Sequence, residues 1–128
     1  MLKILVVDDD AELNRTVCKY LEMNGYETTG CLDAVSAYDT MYGNSFDCII
    51  SDIMMPKIDG YEFAESVRSL DSNIPILFMT AKDDIASKQK GYRVGIDDYM
   101  VKPIVLEELL LKIGALLRRA KINDTKSI

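Results

Sequence analysis

Five side chains in this 128-residue sequence follow runs of strand-forming residues and have the chemistry to act together. Asp8 and Asp9 follow KILVV, Asp52 follows FDCIIS, Thr80 follows PILFM, and Lys102 follows DYMV. Where such runs lie parallel in one sheet, their carboxyl ends share an edge and line the crevice in which open α/β sheets bind ligands. Carboxylates brought together there raise one another's pKa and lose hydration, so the cluster requires a cation, and a bound divalent metal meets that requirement. The chain has no histidine. That removes Ser-His-Asp and Cys-His nucleophilic mechanisms, H-E-x-x-H metal sites and any phosphohistidine of the chain's own.

The elements that must position these residues alternate in period. Residues 2–7 are a continuous, β-branched-rich apolar run, the pattern of a strand buried on both faces. Over 11–24, Leu13, Val17, Tyr20 and Leu21 recur at helical spacing and Gly25 supplies a stop. The pattern then repeats: strand 26–31 and helix 35–42 stopped by Gly43, strand 46–51 and helix 61–70, strand 76–79 and helix 84–94 stopped by Gly95, strand 98–101 and helix 106–120. Such a (βα)5 chain is too short for the eight-stranded barrel and predicts an open, doubly wound, flavodoxin-like α/β sandwich with helices on both faces. YETTGC is more polar than KILVV or DCIIS, which puts the second strand at an edge and gives the order 2-1-3-4-5. The switch point of that order lies between the first and third strands, which carry Asp8, Asp9 and Asp52.

Composition sets the frame. One domain over 1–121 is expected, followed by a polar tail or linker start over 122–128. Mean hydropathy is +0.01 and no apolar run reaches the ~20 residues of a bilayer span, so no membrane role is expected. The N-terminus enters a strand directly, without a signal-peptide pattern, and the expected location is cytoplasmic. A net charge of −6 argues against this domain gripping nucleic acid, so a nucleic-acid role would need another domain. The three cysteines form no C-x-x-C pair and read as small buried hydrophobes.

Four segments, in order and each closing a strand, carry a resemblance: VVDDD ending at Asp10, SDIMMPKIDG ending at Gly60, MTA around Thr80, and DDYMVKP ending at Pro103. Over essentially its full length the chain resembles the receiver domain of two-component response regulators, most of all the class with winged-helix DNA-binding domains. The resemblance implies a regulatory switch that catalyses only its own phosphotransfer and dephosphorylation, in which Asp52 takes a phosphoryl group from a sensor histidine kinase. Asp8, Asp9, Asp52 and the backbone carbonyl of Met54 would hold Mg²⁺, with Mn²⁺ able to substitute, since hard oxygen ligands suit both. Lys102 and Thr80 would contact phosphoryl oxygens, Ala81 would leave room for the group, and Pro103 would fix the turn, with a cis peptide. Tyr99 would be the aromatic switch that turns inward as Thr80 moves.

The output face would be the fourth helix, fifth strand and fifth helix. There Lys88, Asp98, Glu108 and Lys112 have signs suited to ion pairs across a symmetric homodimer formed on activation. The chain departs from the class at Arg93, Ile104 and Gly114. Met54, two residues past Asp52, has no carboxamide or carboxylate to orient a hydrolytic water, and Lys82, two past Thr80, is cationic, so self-dephosphorylation is expected to be slow.

Two other readings cover part of the pattern. A phosphatase resembling the haloacid dehalogenase superfamily would use Asp8-Asp9-Asp10 as its D-x-D, yet that motif expects Thr or Val where Ala11 stands, and Asp52 is left unexplained. A domain that merely binds metal would need neither Lys102 nor Thr80. Taken singly, Asp10 reads as a helix N-terminal carboxylate, Asp59-Gly60 as a turn signal and Met54-Met55 as packing.

Overall fold

Strand and helix alternate through the whole computed structural model, which describes residues 1–81 and 85–121, with 85–88 described by their backbone alone. The elements are β1 (Lys3–Val7), α1 (Ala11–Met23), β2 (Glu27–Cys31), α2 (Ala34–Met41), β3 (Cys48–Asp52), α3 (Gly60–Leu70), β4 (Ile76–Thr80), α4 (Ile85–Val94), β5 (Asp98–Val101) and α5 (Leu106–Arg119). The strands pair in parallel in the order β2-β1-β3-β4-β5, as read from the sequence. Lys82 and Asp84, like the tail 122–128, lie outside the described residues.

Side-chain alternation divides the central strands between two cores. Leu5, Val7, Ile49, Ile76 and Phe78 pack toward Ala37, Phe63 and Val67 of α2 and α3. Ile4, Val6, Cys48, Ile50, Leu77 and Met79 pack toward Val17 and Leu21 of α1 and Leu109 and Ile113 of α5. Each fully buried aliphatic side chain contributes about 1.5–3 kcal/mol, so a register slip of one residue in β1 or β3 is strongly disfavoured. On β2, Glu27 and Gly30 are exposed, which is the edge character its polarity predicted.

Aspartates start three helices. The carboxylates of Asp10, Asp33 and Asp59 accept the N–H groups of Leu13, Ser36 and Glu62 at 3.1, 2.7 and 2.9 Å. Asp10 is thus the cap its position indicated. Asp59, read from the sequence as a turn signal, is instead the N-cap of α3, a role worth about 1 kcal/mol. β3 also differs from its expected 46–51. Asp47 turns its carboxylate to the Lys3 N–H at 2.8 Å, while Asp52 stays in the ladder opposite Met79. Asp52 is therefore held by strand hydrogen bonding and does not begin the loop. Among the described residues no helix is long and apolar enough to cross a membrane.

Candidate functional site

β1 and β3 are neighbours, with Val7 opposite Ser51, so Asp8 and Asp52 emerge side by side at the switch point. Both lie in the even-numbered set that faces α1 and α5, and Lys102, one residue past the end of β5, continues the same alternation after Met100. The result is a compact charge cluster. Lys102 Nζ stands 3.0 Å from Asp8 Oδ2 and 3.2 Å from Asp52 Oδ2. Asp9 completes it: one carboxylate oxygen each from Asp8, Asp9 and Asp52 falls within a 4.8 Å group. The backbone holds the pieces in place. The Asp10 N–H donates to Asp8 Oδ1 at 2.8 Å, the Met54 N–H reaches Asp52 Oδ1 at 3.4 Å, and the Lys102 N–H donates to the Thr80 carbonyl at 2.7 Å. The Lys102–Pro103 peptide is cis, as expected.

Burial governs the electrostatics. Asp8 has no exposed surface and Asp52 retains 4%. Burial, and then the Asp8 carboxylate, push the Asp52 carboxyl above the usual carboxylate range, against the opposing pull of Lys102. Burial also draws the Lys102 ammonium downward, but its contacts with Asp8 and Asp52 more than offset this and its pKa ends above the ordinary lysine value. Asp8 Oδ2 is buried with the Lys102 ammonium as an ion-pair partner at 3.0 Å, which leaves a carboxylate oxygen with coordination to spare. Hard oxygen donors, converging and under-neutralised by a single ammonium, fit a divalent cation such as Mg²⁺.

Thr80 and Tyr99 lie on the other side of the alternation. Phe78 and Thr80 share the α2–α3 side of β4, and Tyr99 pairs with Phe78 across the ladder. Thr80 is 4% exposed and Ala81, next to it, is open to solvent. Tyr99 is already buried, its ring stacked on Tyr92 with centroids 6.4 Å apart. Beside the cluster a cavity of about 570 Å³ opens between α1 and the β5–α5 loop, lined by Leu13, Thr16, Ala81, Lys102, Pro103 and Ile104 among others. On the expected output face, Asp98 and Lys112 form an ion pair within the chain at 3.2 Å, Glu108 is exposed, and the side chain of Lys88 lies outside the described residues. Arg93 is exposed and Gly114 half-buried.

Two residues support the site in ways the sequence reading did not give: Gly60 was read only as part of a turn signal, and Asn14 was not singled out. Gly60 packs against the back of β3: a Cβ there would meet the Asp52 carbonyl oxygen and lie 2.7 Å from Ile53 Cα. Asn14 is buried under the β1–α1 turn. It had a legible signal, because Asn14, Val17, Cys18 and Leu21 fall at i, i+3, i+4 and i+7, so a carboxamide occupies the apolar stripe of α1.

Similarities to known proteins agree with this geometry. Residues 4–114 match the response regulator receiver domain. The chain is 41% identical over 123 residues to the response regulator MprA of Mycobacterium avium (strain 104), an alignment covering 96% of this chain and 54% of that protein. It is 39% identical over 126 residues to MprA of Mycobacterium ulcerans (strain Agy99), covering 98% of this chain and 54% of that one. The chain thus spans about half the length of the curated relatives it matches. Among solved structures, chemotaxis protein CheY4 of Vibrio cholerae superposes with a TM-score of 0.88 at 35% identity, covering 91% of this chain and 99% of that one. The BeF3-activated DrrB receiver domain gives 0.86 at 29% identity, covering 93% and 99%. The receiver-domain match covers most of the chain and the solved neighbours share its fold, so this chain belongs to the response regulator receiver family, the phosphorylation-activated signalling domains of two-component systems.

Proposed function

We propose that Asp52 is the phosphoacceptor of this receiver and that its donor is the phosphohistidine of a sensor histidine kinase. The observation that carries the reading is the placement of Asp52 Oδ2 3.2 Å from Lys102 Nζ at the mouth of the crevice, with Asp8 and Asp9 alongside. An oxygen of Asp52 attacks phosphorus, an O–P bond forms as the donor's N–P bond breaks, and the electron pair of that bond returns to the imidazole nitrogen. The developing charge on the phosphoryl oxygens needs fixed positive partners more than covalent chemistry. Lys102 supplies one as a point charge. Thr80 offers a hydroxyl and Ala81 leaves space for the group. Asp8, Asp9, Asp52 and the Met54 carbonyl are the groups that would hold Mg²⁺, which when bound neutralises phosphoryl oxygens. Asp8 suits the nucleophile's role less well, because it is fully buried with Oδ1 engaged by the Asp10 N–H.

The phosphoryl group adds up to about two negative charges beside Lys102 and Thr80 and draws both toward Asp52. Movement of Thr80 is transmitted to Tyr99, and so to α4, β5 and α5. Through that face the domain forms a symmetric dimer, which in a longer protein with a C-terminal DNA-binding domain controls transcription, in the cytoplasm. Residues 1–121 act as the receiver and 122–128 as the start of a linker. The phosphoryl group is long-lived, because Met54, exposed beside Asp52, cannot orient a water. Intact-mass and peptide mass spectrometry after incubation with Mg²⁺ and acetyl phosphate tests the reading. A labile Mg²⁺-dependent adduct on Asp52, absent from Asp52→Asn, is the expected result; an adduct on Asp8 with turnover would support the phosphatase, and no adduct the metal-binding domain.

A further inference from the structure

We infer that Asn14 is a positioning residue for Asp8 and Asp9, fixing the β1–α1 turn from beneath and thereby setting the receiver's affinity for a divalent cation. The inference rests on the metal-binding reading above.

Asn14 is 4% exposed, and its side-chain amide donates to the carbonyls of Cys31 at 2.9 Å, Asp8 at 3.1 Å and Val6 at 3.3 Å. Two N–H bonds serve three acceptors, so the contact is shared, and the Val6 carbonyl, being farthest, receives least. The Asp8 carbonyl is the telling partner. It belongs to the peptide joining Asp8 to Asp9, just past the end of β1, and the plane of that peptide sets the directions in which both carboxylates leave the chain. The same turn is tied to β2 by the Asp8 N–H, which donates to the Cys31 carbonyl at 3.0 Å. One carboxamide therefore locks the ends of β1 and β2 and the first turn of α1 into a single unit beneath the metal-ligand pair.

The opposite side of Asn14 is shaped to receive it. Its Oδ1 takes a weak hydrogen bond from Cys18 Sγ at 3.6 Å and lies against Gly30, where any Cβ would collide with that oxygen. Gly30 does not carry a left-handed φ, so the backbone there accepts alanine and the main obstacle is Asn14 itself, with Cys18 Sγ in tight contact at 3.3 Å beside it. This gives two independent ways to disturb the amide: remove it with Asn14→Ala, or displace it with Gly30→Ala.

Isothermal titration calorimetry with Mg²⁺ on the wild type, Asn14→Ala, Gly30→Ala and the double variant tests the inference, at a temperature where circular dichroism shows each to be folded. Each single variant is expected to bind Mg²⁺ about 10-fold more weakly, the lower end of what loss of a ligand-orienting group produces. The double variant is expected to bind Mg²⁺ within about two-fold of Asn14→Ala, because Gly30→Ala acts chiefly through the residue already removed and its remaining tight neighbour, Cys18 Sγ, makes no bond to the turn. In acetyl phosphate labelling the half-saturating Mg²⁺ concentration should rise by the same factor, while the rate at saturating Mg²⁺ stays within about two-fold of wild type. Variants that melt earlier but bind Mg²⁺ as the wild type does would overturn the inference and leave Asn14 a structural residue only. If Asn14→Ala does not fold, the Gly30→Ala affinity decides alone. A wild type that labels on Asp52 with unaltered variants defeats this inference and spares the receiver chemistry; a wild type that neither binds Mg²⁺ nor labels defeats both.

Discussion

Lys102 is the ammonium that the structure places against two buried carboxylates, Asp8 and Asp52. Removing one partner of a buried pair costs about 3–5 kcal/mol, but Lys102 is 22% exposed, and screening brings the expected loss for Lys102→Met to about 2 kcal/mol in metal-free protein. Urea unfolding checks this, and Mg²⁺ should recover part of the loss. Asp52 has the opposite effect on stability. Its carboxyl is raised in the folded state, so its contribution favours folding below the ordinary carboxylate pKa and is lost as pH rises through the shifted value. Metal-free wild type should therefore lose stability relative to Asp52→Asn across that acidic window, with Mg²⁺ reversing the order at neutral pH. Lys102, also raised, titrates only in the alkaline range and does not affect this comparison. A flat difference between wild type and Asp52→Asn from acid to neutral pH would refute the assignment of the shift. At this scale the sequence was informative where a charged or hydroxyl residue ended an apolar run. For Asn14 it shows a carboxamide in an apolar stripe but not its partners, which are backbone carbonyls that no residue type reveals.

The elements were legible to different degrees, for physical reasons. α1 and α5 show clean helical stripes and appear within one residue of expectation, and β1, buried on both faces, is unmistakable in its apolar run. β3 was placed early because Phe46 looks like strand, whereas Asp47 leaves the pattern to cap the Lys3 N–H and the ladder runs on to Asp52. Which residue ends a strand depends on its neighbour across the sheet, information absent from local pattern. The β3–α3 connection shows the same limit. Asp59-Gly60 carries a turn signature, but the two residues start α3, with Asp59 capping and the Gly60 N–H donating to the Ile53 carbonyl at 2.7 Å. Close approach follows from that bond. Gly60→Ala would drive a methyl group into Asp52 and Ile53 backbone, which cannot give way as a side chain could. Expected are a loss of about 2–3 kcal/mol by urea unfolding and a slower Asp52 phosphorylation rate, since overpacking shifts backbone. Unchanged labelling in a destabilised variant would show that α3 and the acceptor strand are mechanically separate.

Across the whole molecule, the question is how a local charge change becomes an assembly change. Inverting a 1:99 equilibrium takes roughly 5.5 kcal/mol of differential stabilisation, and the Asp98–Lys112 pair, which must exchange partners if either residue pairs across a dimer, opposes this by only about 0.2–1 kcal/mol. That pair is no barrier. Nor does it supply the drive, since its intermolecular replacement is worth about the same. The apolar surface on the same elements is the larger resource: Tyr92 on α4, Val101 on β5, and Val105 and Leu111 at α5 are exposed, Leu111 by 69%. Burying a Leu or Val contributes about 1.5–3 kcal/mol each, so the dimer is expected to be held by these side chains and oriented by the charges. Sedimentation velocity with Mg²⁺ and beryllofluoride should convert monomer to dimer at about 100 µM in protein, a concentration suited to affinities near −6 kcal/mol. Leu111→Glu should abolish the dimer while leaving Asp52 labelling intact, whereas 1 M salt, which shrinks the Debye length to about 3 Å, should weaken it only modestly. If salt dissolves the dimer and Leu111→Glu does not, the charged residues carry the interface and the apolar surface serves another partner; if the activated chain stays monomeric throughout, the α4–β5–α5 face is not where this receiver dimerises.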